Sequence, residues 1–266
     1  MVDLRKKFGS GKKLLLGVVH LRPLAGSPRN VDSLEAIVEA ARIDSEALLD
    51  AGFDGYVVEN FGDAPFYAGR VPPHVLTCMT RIVCELPREN AFVAVNVLRN
   101  DVAGALSVAA ATGIQAIRVN VHCGAMVTDQ GLIEGQAAET IRLRETIAPQ
   151  VAVLADVDVK HAGPVSVRYS LADAARETAY RGLADALIVT GRATGEEAAG
   201  DDLRTVREAV RDRPVLVGSG VTRDSVARWL QDADGVIVGS SLKHRGQVEQ
   251  PVDIQVAKSF VKAARG

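Results

Sequence analysis

The sequence is poor in the features that mark several large protein classes. Its 266 residues include three cysteines, Cys78, Cys84 and Cys123, which are scattered and form no C-x-x-C pair. That spacing argues against a zinc ribbon or a disulfide framework and suits incidental thiols in a reducing compartment. Charge of one sign is not in excess: the formal net charge is −2. Nucleic acid is therefore not an expected partner, because counterion release needs a basic surface. No apolar run approaches the ~18 residues that suggest a membrane span. The basic, glycine-containing stretch 1–13 lacks the apolar centre of a signal peptide. The expected location is cytoplasmic, with peripheral membrane association left open. Low-complexity segments and Pro/Ser-rich linkers are missing too, so one domain over 1–266 is expected, with 1–12 as an N-terminal extension.

What is present is a regular alternation. Short runs rich in Val, Ile, Leu and Ala predict strands at 14–20, 55–59, 91–97, 115–121, 151–157, 184–190, 214–218 and 235–239. Longer amphipathic stretches predict helices at 33–51, 72–86, 101–112, 132–148, 170–182, 201–211, 222–232 and 253–264. Strand alternating with helix implies parallel pairing through right-handed crossovers. Eight such units close a barrel, and 266 residues suit one. The predicted fold class is α/β, a single (β/α)8 TIM barrel; an open doubly wound sheet would usually use fewer strands. Gly52, Gly113 and Gly182 each follow a helical pattern and are expected to cap it in the left-handed conformation.

Both sides of a barrel strand are buried, so polar residues in the strands are informative. They fall near the C-terminal ends: His20, Glu59, Asn96, Arg118, Asn120, His122, Asp156 and Thr190. The two-residue period supplies suitable core companions, Leu16 and Val18 with His20, Val57 with Glu59, Ala94 with Asn96 and Leu154 with Asp156. One such residue alone is a solvated rim residue. Six strands carrying them at one end predict a polar, ligand-binding mouth, since buried polar groups must pair with one another or with a ligand.

The last two strands end in glycine loops, Gly218-Ser219-Gly220 and Gly239-Ser240-Ser241. Glycine lets an anion approach the backbone, and free N–H groups at a helix start bind it. Barrels place a phosphate site there. Lys243 and His244 either add charge nearby or are solvated.

For chemistry, Glu59 and Asp156 are the acid/base candidates, with His122 and Lys160 beside them; the alternative for the carboxylates is a structural ion-pair network with Arg118 or Lys160. A Schiff-base role for Lys160 is disfavoured by its place at or past the end of strand 5. His20, Asn96, Arg118, Asn120, His161 and Thr190 are the candidate substrate-binding residues. No cofactor is predicted. A divalent metal held by the histidines and carboxylates has no tight motif such as H-E-x-x-H behind it. Asp129 is read either as the N-cap of the helix that follows or as part of a lid.

Several segments together resemble the BtpA/SgcQ family: 17–28 (GVVHLRPLAGSP), 54–66 (DGYVVENFGDAPF), 95–101 (VNVLRND), 117–125 (IRVNVHCGA), 154–162 (LADVDVKHA), 188–191 (IVTG) and the two glycine loops. The resemblance runs from about Leu14 to the C-terminus. It implies a phosphate-binding TIM barrel. One branch of that family is associated with biogenesis of photosystem I at the thylakoid membrane. The other sits among sugar-transport genes and is taken for a nucleosidase or sugar-phosphate enzyme. Two functions are thus carried forward. The first is an isomerase, lyase or nucleosidase-like enzyme acting on a small phosphorylated sugar or nucleoside-type ligand. The alternative is a non-catalytic assembly factor for a membrane complex. A homo-oligomer is expected because cyclic dimers are the commonest assemblies.

Overall fold

The structure, a computed structural model, describes residues 2, 4, 11–157, 162–165, 170–191 and 200–266. Eight parallel strands close into a barrel in the order β1 (Leu14–His20), β2 (Gly55–Glu59), β3 (Phe92–Asn96), β4 (Ala116–Val119), β7 (Ala152–Asp156), β9 (Ala186–Val189), β10 (Val215–Val217) and β11 (Gly235–Val238). Leu14 pairs with Gly235 to close the ring. Every barrel strand lies within two residues of its expected bounds. The helices of the outer layer are α1 (Leu34–Asp50), α2 (Pro73–Glu85), α3 (Val102–Thr112), α4 (Ala137–Ile147), α5 (Leu171–Arg176), α6 (Gly200–Ala209), α7 (Val226–Asp232) and α8 (Ile254–Arg265). Their starts follow local chemistry. Ser33 caps α1 by accepting from Ala36 N at 3.2 Å, and Asp101 caps α3 by accepting from Gly104 N at 2.8 Å.

The strand period separates two cores. Leu14, Leu16, Val18, Val57, Ala94, Leu154, Ile188 and Ile237 fill the barrel interior, and Leu4 joins them. Their strand neighbours, such as Leu15, Val19, Tyr56, Val58, Val93 and Val95, pack outward against the helices.

A repeated device sets the register at the strand starts. The residue just before β2, β4, β9 and β11 reaches sideways to the first amides of the preceding barrel strand. Asp54 accepts from Leu15 N at 2.8 Å, Gln115 from Val93 N at 2.8 Å, Asp185 from Val153 N at 2.8 Å and Asp234 from Val215 N at 2.9 Å. The barrel is therefore stitched in four two-strand units at its N-terminal end, away from the mouth. Asp185 does most: it also takes Arg144 Nη1 at 2.8 Å and Val2 N at 2.7 Å, with Arg144 and Asp185 both buried.

Two expectations are corrected. Helix 132–148 starts only at Ala137. Residues Gly131–Glu134 form β6, which pairs with β5 (Ala125–Thr128); β5 pairs in turn with β8 (Ala162–Pro164), in a separate antiparallel sheet. Asp129 therefore lies in a hairpin turn and caps no helix; Gly131, at φ 95°, makes that turn. Gly182 is right-handed, at φ −78°, and Leu183 takes the positive φ of 57° instead. Glycine is needed at 182 for a different reason. A Cβ there would lie 2.5 Å from Cys123 Sγ and 2.9 Å from His122 Cδ2.

Replacing Asp185 by Ala leaves the buried Arg144 guanidinium only its bond to the exposed Glu145 (3.0 Å) and removes a strand-start acceptor. Urea unfolding should show a loss of about 3–5 kcal/mol, the scale of breaking a buried ion pair. A loss below about 1 kcal/mol would contradict the role given to Asp185.

Candidate functional site at the barrel mouth

The centre of the mouth is occupied by a buried ionic clasp. Arg118, on the inward face of β4, spans β2 and β7. Its Nε and Nη2 donate to Asp156 Oδ1 and Oδ2, each at 3.1 Å, and its Nη1 donates to Glu59 Oε1 at 3.1 Å. Asn120 Nδ2 donates to Asp156 Oδ2 at 3.0 Å, and Asn96 Nδ2 to Glu59 Oε1 at 3.2 Å. Side-chain exposure is 3% for Arg118, 0% for Asp156 and 8% for Glu59. Such burial is tolerable only because every partner is matched in geometry, including the two-pronged guanidinium–carboxylate pair. Burial alone would loosen the proton on Arg118, but the charges and hydrogen bonds of Asp156 and Glu59 outweigh it and raise its pKa. The cation is permanent.

The two carboxylates are not equivalent. Both oxygens of Asp156 receive N–H donors, and its side chain is sealed from solvent. Glu59 lines the cavity that also holds the glycine loops. Asn120 has its Nδ2 engaged, while its buried Oδ1 has no hydrogen-bond partner among the described residues.

That cavity, about 70 Å³, is bounded by Val18, His20, Glu59, Arg118, the segment Gly218-Ser219-Gly220-Val221-Thr222 and the segment Val238-Gly239-Ser240-Ser241. Gly220 holds φ 69°. A Cβ on Gly218 would lie 2.5 Å from Ile188 Cγ2, and one on Gly239 would lie 2.7 Å from His20 Cε1, so neither position accepts a side chain without movement. A 3₁₀ turn, Ser240–Leu242, begins with Leu242 N donating to Gly239 O at 3.1 Å. The amides of Ser240 and Ser241 precede that first internal bond, which leaves them oriented as a turn's opening donors. Ser241 Oγ donates to Val221 O at 2.7 Å and ties the two loops together.

His20 ends β1 half-buried, with its ring edge-on to Phe61 at 4.8 Å and 61°. Thr190 is buried after β9, with Cγ2 3.2 Å from where a Gly218 Cβ would be. The mouth thus gathers His20, Glu59, Asn96, Arg118, Asn120, Asp156 and Thr190 with both glycine loops. Lys160 and His161 lie outside the described residues.

One expected member, His122, is elsewhere, and Lys243 is neither beside the glycine loops nor solvated. His122 does not face the mouth, because β4 ends at Val119 and the chain turns out of the barrel before it. Its Nε2 lies 2.8 Å from Gly182 O, and with Cys123 it lines a crevice against α4 and the turn after α5. Lys243 is buried and ion-paired with Asp44, which also accepts from Val252 N at 2.7 Å, so its charge is spent away from the glycine loops. Conversely, Arg99 was not singled out in the sequence. It is buried near Asp129, Asp156, Glu59 and Arg118, and adds a second cation beside the clasp. Its burial lowers its pKa despite those carboxylates. An arginine just past a strand end, beside Asn96, was the available signal. Among the described residues no group of three His, Cys, Asp or Glu is arranged to hold a metal ion.

The loops around the mouth are braced in sequence. Asp63 accepts from Leu24 N at 2.7 Å, Asn60 Oδ1 from Leu98 N at 2.7 Å, and Asn100 Oδ1 from Val121 N at 2.9 Å. Each side chain links its own loop to a neighbouring one, so the polar residues of the 54–66 and 95–101 segments hold the rim in shape.

Burial, helped by the Arg144 charge and only partly offset by the Gly182 carbonyl and Asp185, lowers the His122 pKa below its ordinary value. The folded state therefore favours neutral imidazole. Its contribution to stability is complete above the ordinary histidine pKa and is lost as pH falls through the depressed one. The melting-temperature advantage of the protein over a His122→Gln variant should shrink between pH 7.5 and pH 5. An advantage that grows on acidification would show a charged, paired histidine instead.

Proteins of similar sequence and fold are known. The photosystem I biogenesis protein BtpA of Synechocystis is 45% identical over 98% of this chain and 91% of its own. An uncharacterized protein of Pyrococcus furiosus is 43% identical, covering 97% of each chain. An uncharacterized mitochondrial protein of Caenorhabditis elegans is 30% identical over 98% of this chain and 96% of its own. Among solved structures, thiamine phosphate pyrophosphorylase from Pyrococcus furiosus superposes with TM-score 0.57 at 18% identity, covering 99% and 98% of the two chains. N-(5'-phosphoribosyl)anthranilate isomerase from the same organism gives TM-score 0.57 at 17% identity, covering 95% and 98%. At such identity the two structures speak for the barrel fold. The sequence matches the BtpA family over residues 11–266, and the chain belongs to that family.

Proposed function

We propose that this protein is an enzyme that binds a small phosphate ester at the mouth of its barrel, with the phosphate between the Gly218–Gly220 and Gly239–Ser241 loops and Glu59 as the proton-transfer group. The observation that carries this is a single small cavity bounded by both glycine loops and by Glu59. Opening amides at a turn and close-approach glycines suit an anion. The solved barrels of like fold include enzymes whose names specify phosphorylated compounds, which supports the same class. A phosphorylated sugar or nucleoside-type substrate, with isomerase, lyase or nucleosidase-like chemistry, remains the reaction class that suits these parts.

The geometry divides the work between the carboxylates. Asp156, saturated by Arg118 and Asn120, positions the guanidinium. Arg118 in turn fixes Glu59, the carboxylate that meets the cavity. Asn120 Oδ1 offers a buried acceptor to a ligand hydroxyl or N–H. Neither His122 nor a metal is needed for this scheme.

A second reading has its own support. The Synechocystis relative is named for photosystem I biogenesis. The β5–β6–β8 sheet leaves Val127, Leu132 and Val165 55–56% exposed, an apolar surface that an assembly factor would use. Loss of partner binding in a Val127→Asp, Leu132→Asp variant with unchanged ligand binding would favour it.

Two experiments test the enzyme reading. Calorimetry should detect inorganic phosphate binding to the protein and not to a folded Gly220→Val variant, whose φ of 69° no β-branched residue adopts comfortably. Undiminished binding in the variant would contradict the placement. On a phosphate ester identified by screening, Glu59→Gln should lower kcat by roughly 10²-fold or more while phosphate still binds. Asp156→Asn should instead lower stability, by about 3 kcal/mol or more, through a half-paired buried Arg118. Full activity in Glu59→Gln would remove Glu59 from the chemistry.

A further inference from the structure

A second cavity, of about 410 Å³, opens beside the first. It lies between the loop after β1, α1, the 3₁₀ turn Phe61–Asp63 and the chain after β11. His20 and Phe61 line both cavities. Their edge-to-face pair forms the shared wall, and a Cβ at Gly239 would press on His20 from the side of the first cavity.

The lining of the larger cavity is mainly apolar. Phe61, Phe66, Pro23, Ile43, Val248 and Pro251 supply apolar and ring surface. Phe66 stands 6.4 Å from Phe61, so two phenyl rings and the His20 imidazole form one aromatic side. The ionic groups of the deep part, Asp44 and Lys243, neutralise each other and are both buried. Arg22, Arg29, Glu249 and Gln250 reach the cavity from exposed positions, so these groups lie at its rim. Ile43 keeps 47% of its surface exposed although an apolar wall stands ready for it. The volume falls in the range of small-molecule sites, roughly 300–1,000 Å³, which are mostly apolar with few polar groups.

The smaller cavity, by contrast, has room for little beyond an anion. The Glu59–Arg118–Asp156 clasp fills the centre of the mouth among the described residues. A ligand anchored in the first cavity and too large for it therefore has the second as its apolar extension past His20 and Phe61.

We infer that the larger cavity is the second compartment of the ligand site and takes an uncharged, ring-bearing apolar group of the phosphate ester, packed against Phe61 and Phe66. This rests on the phosphate reading given above and narrows its substrate class. The preferred ligand is an aryl or arylalkyl phosphate, or a phosphorylated sugar carrying such a group, in preference to a bare sugar phosphate.

The test uses three probes in calorimetry at one pH and salt concentration: inorganic phosphate, ribose 5-phosphate and benzyl phosphate. Benzyl phosphate should bind at least tenfold more tightly than inorganic phosphate, and more tightly than ribose 5-phosphate. Ala40→Phe, which fills the cavity from a half-exposed site on α1, should return benzyl phosphate to the affinity of inorganic phosphate and leave the latter unchanged. Ile43→Asp, an exposed position on the same helix, should do the same by charge. If phosphate binds while benzyl phosphate gains nothing over ribose 5-phosphate, the second compartment is wrong and the phosphate site stands. Binding of none of the three overturns both. If Ala40→Phe leaves the affinity for benzyl phosphate unchanged and instead alters the molecular mass seen by light scattering, the cavity is a contact between copies and the inference fails.

Discussion

Arg118 held between Asp156 and Glu59 is the interaction on which the mouth of this barrel depends. A guanidinium almost sealed from water at the centre of eight strands costs several kcal/mol in desolvation unless its donors are matched. Here three N–H groups meet three carboxylate oxygens at 3.1 Å. The clasp joins β2, β4 and β7 across the barrel interior and sets the direction of Glu59. It also fills the middle of the mouth, so that ligand space is displaced towards β1, β10 and β11. The placement of the small cavity, the isolation of Asp156 and the position of Glu59 on the cavity wall all follow from it.

The scaffold supports this from both ends. Below, Asp54, Gln115, Asp185 and Asp234 fix the strands in pairs, so that each inward side chain arrives at a defined height. Above, Asp63, Asn60 and Asn100 pass hydrogen bonds from loop to loop around the rim. A buried ion cluster tolerates little error in position. Rigid strand starts and braced loops give it that accuracy, and they let the glycine loops be built for close approach instead of for stability.

Much of this was legible in the residues. Because both faces of a barrel strand are buried, a polar residue there needs a reason, and the two-residue period carries His20, Glu59, Asn96, Arg118 and Asp156 inward with apolar companions. The same period fails where a strand stops. His122 shares parity with Arg118, yet the chain leaves the sheet after Val119, and parity has no meaning beyond that point. Residues 131–134 joined the helix that follows because Leu132 and Ile133 fit a 3.6-residue pattern, while their true partners on β5 are set by a turn at Gly131. Long-range pairs were invisible for a simpler reason. Asp44 and Lys243 are 199 residues apart, and nothing local in either segment announces the other. Arg144 with Asp185 is a similar case.

What the clasp leaves to a ligand is a pocket of anion size walled by two glycine turns. Whether an anion goes there decides the role of both loops. The most direct measurement is a crystal structure of the protein soaked in tungstate, whose anomalous signal locates a tetrahedral oxyanion without ambiguity. A peak is expected between Gly218–Gly220 and Gly239–Ser241, within hydrogen-bonding distance of the Ser240 and Ser241 amides. An ordered tungstate found only at other sites, with those two loops left bare, would contradict it.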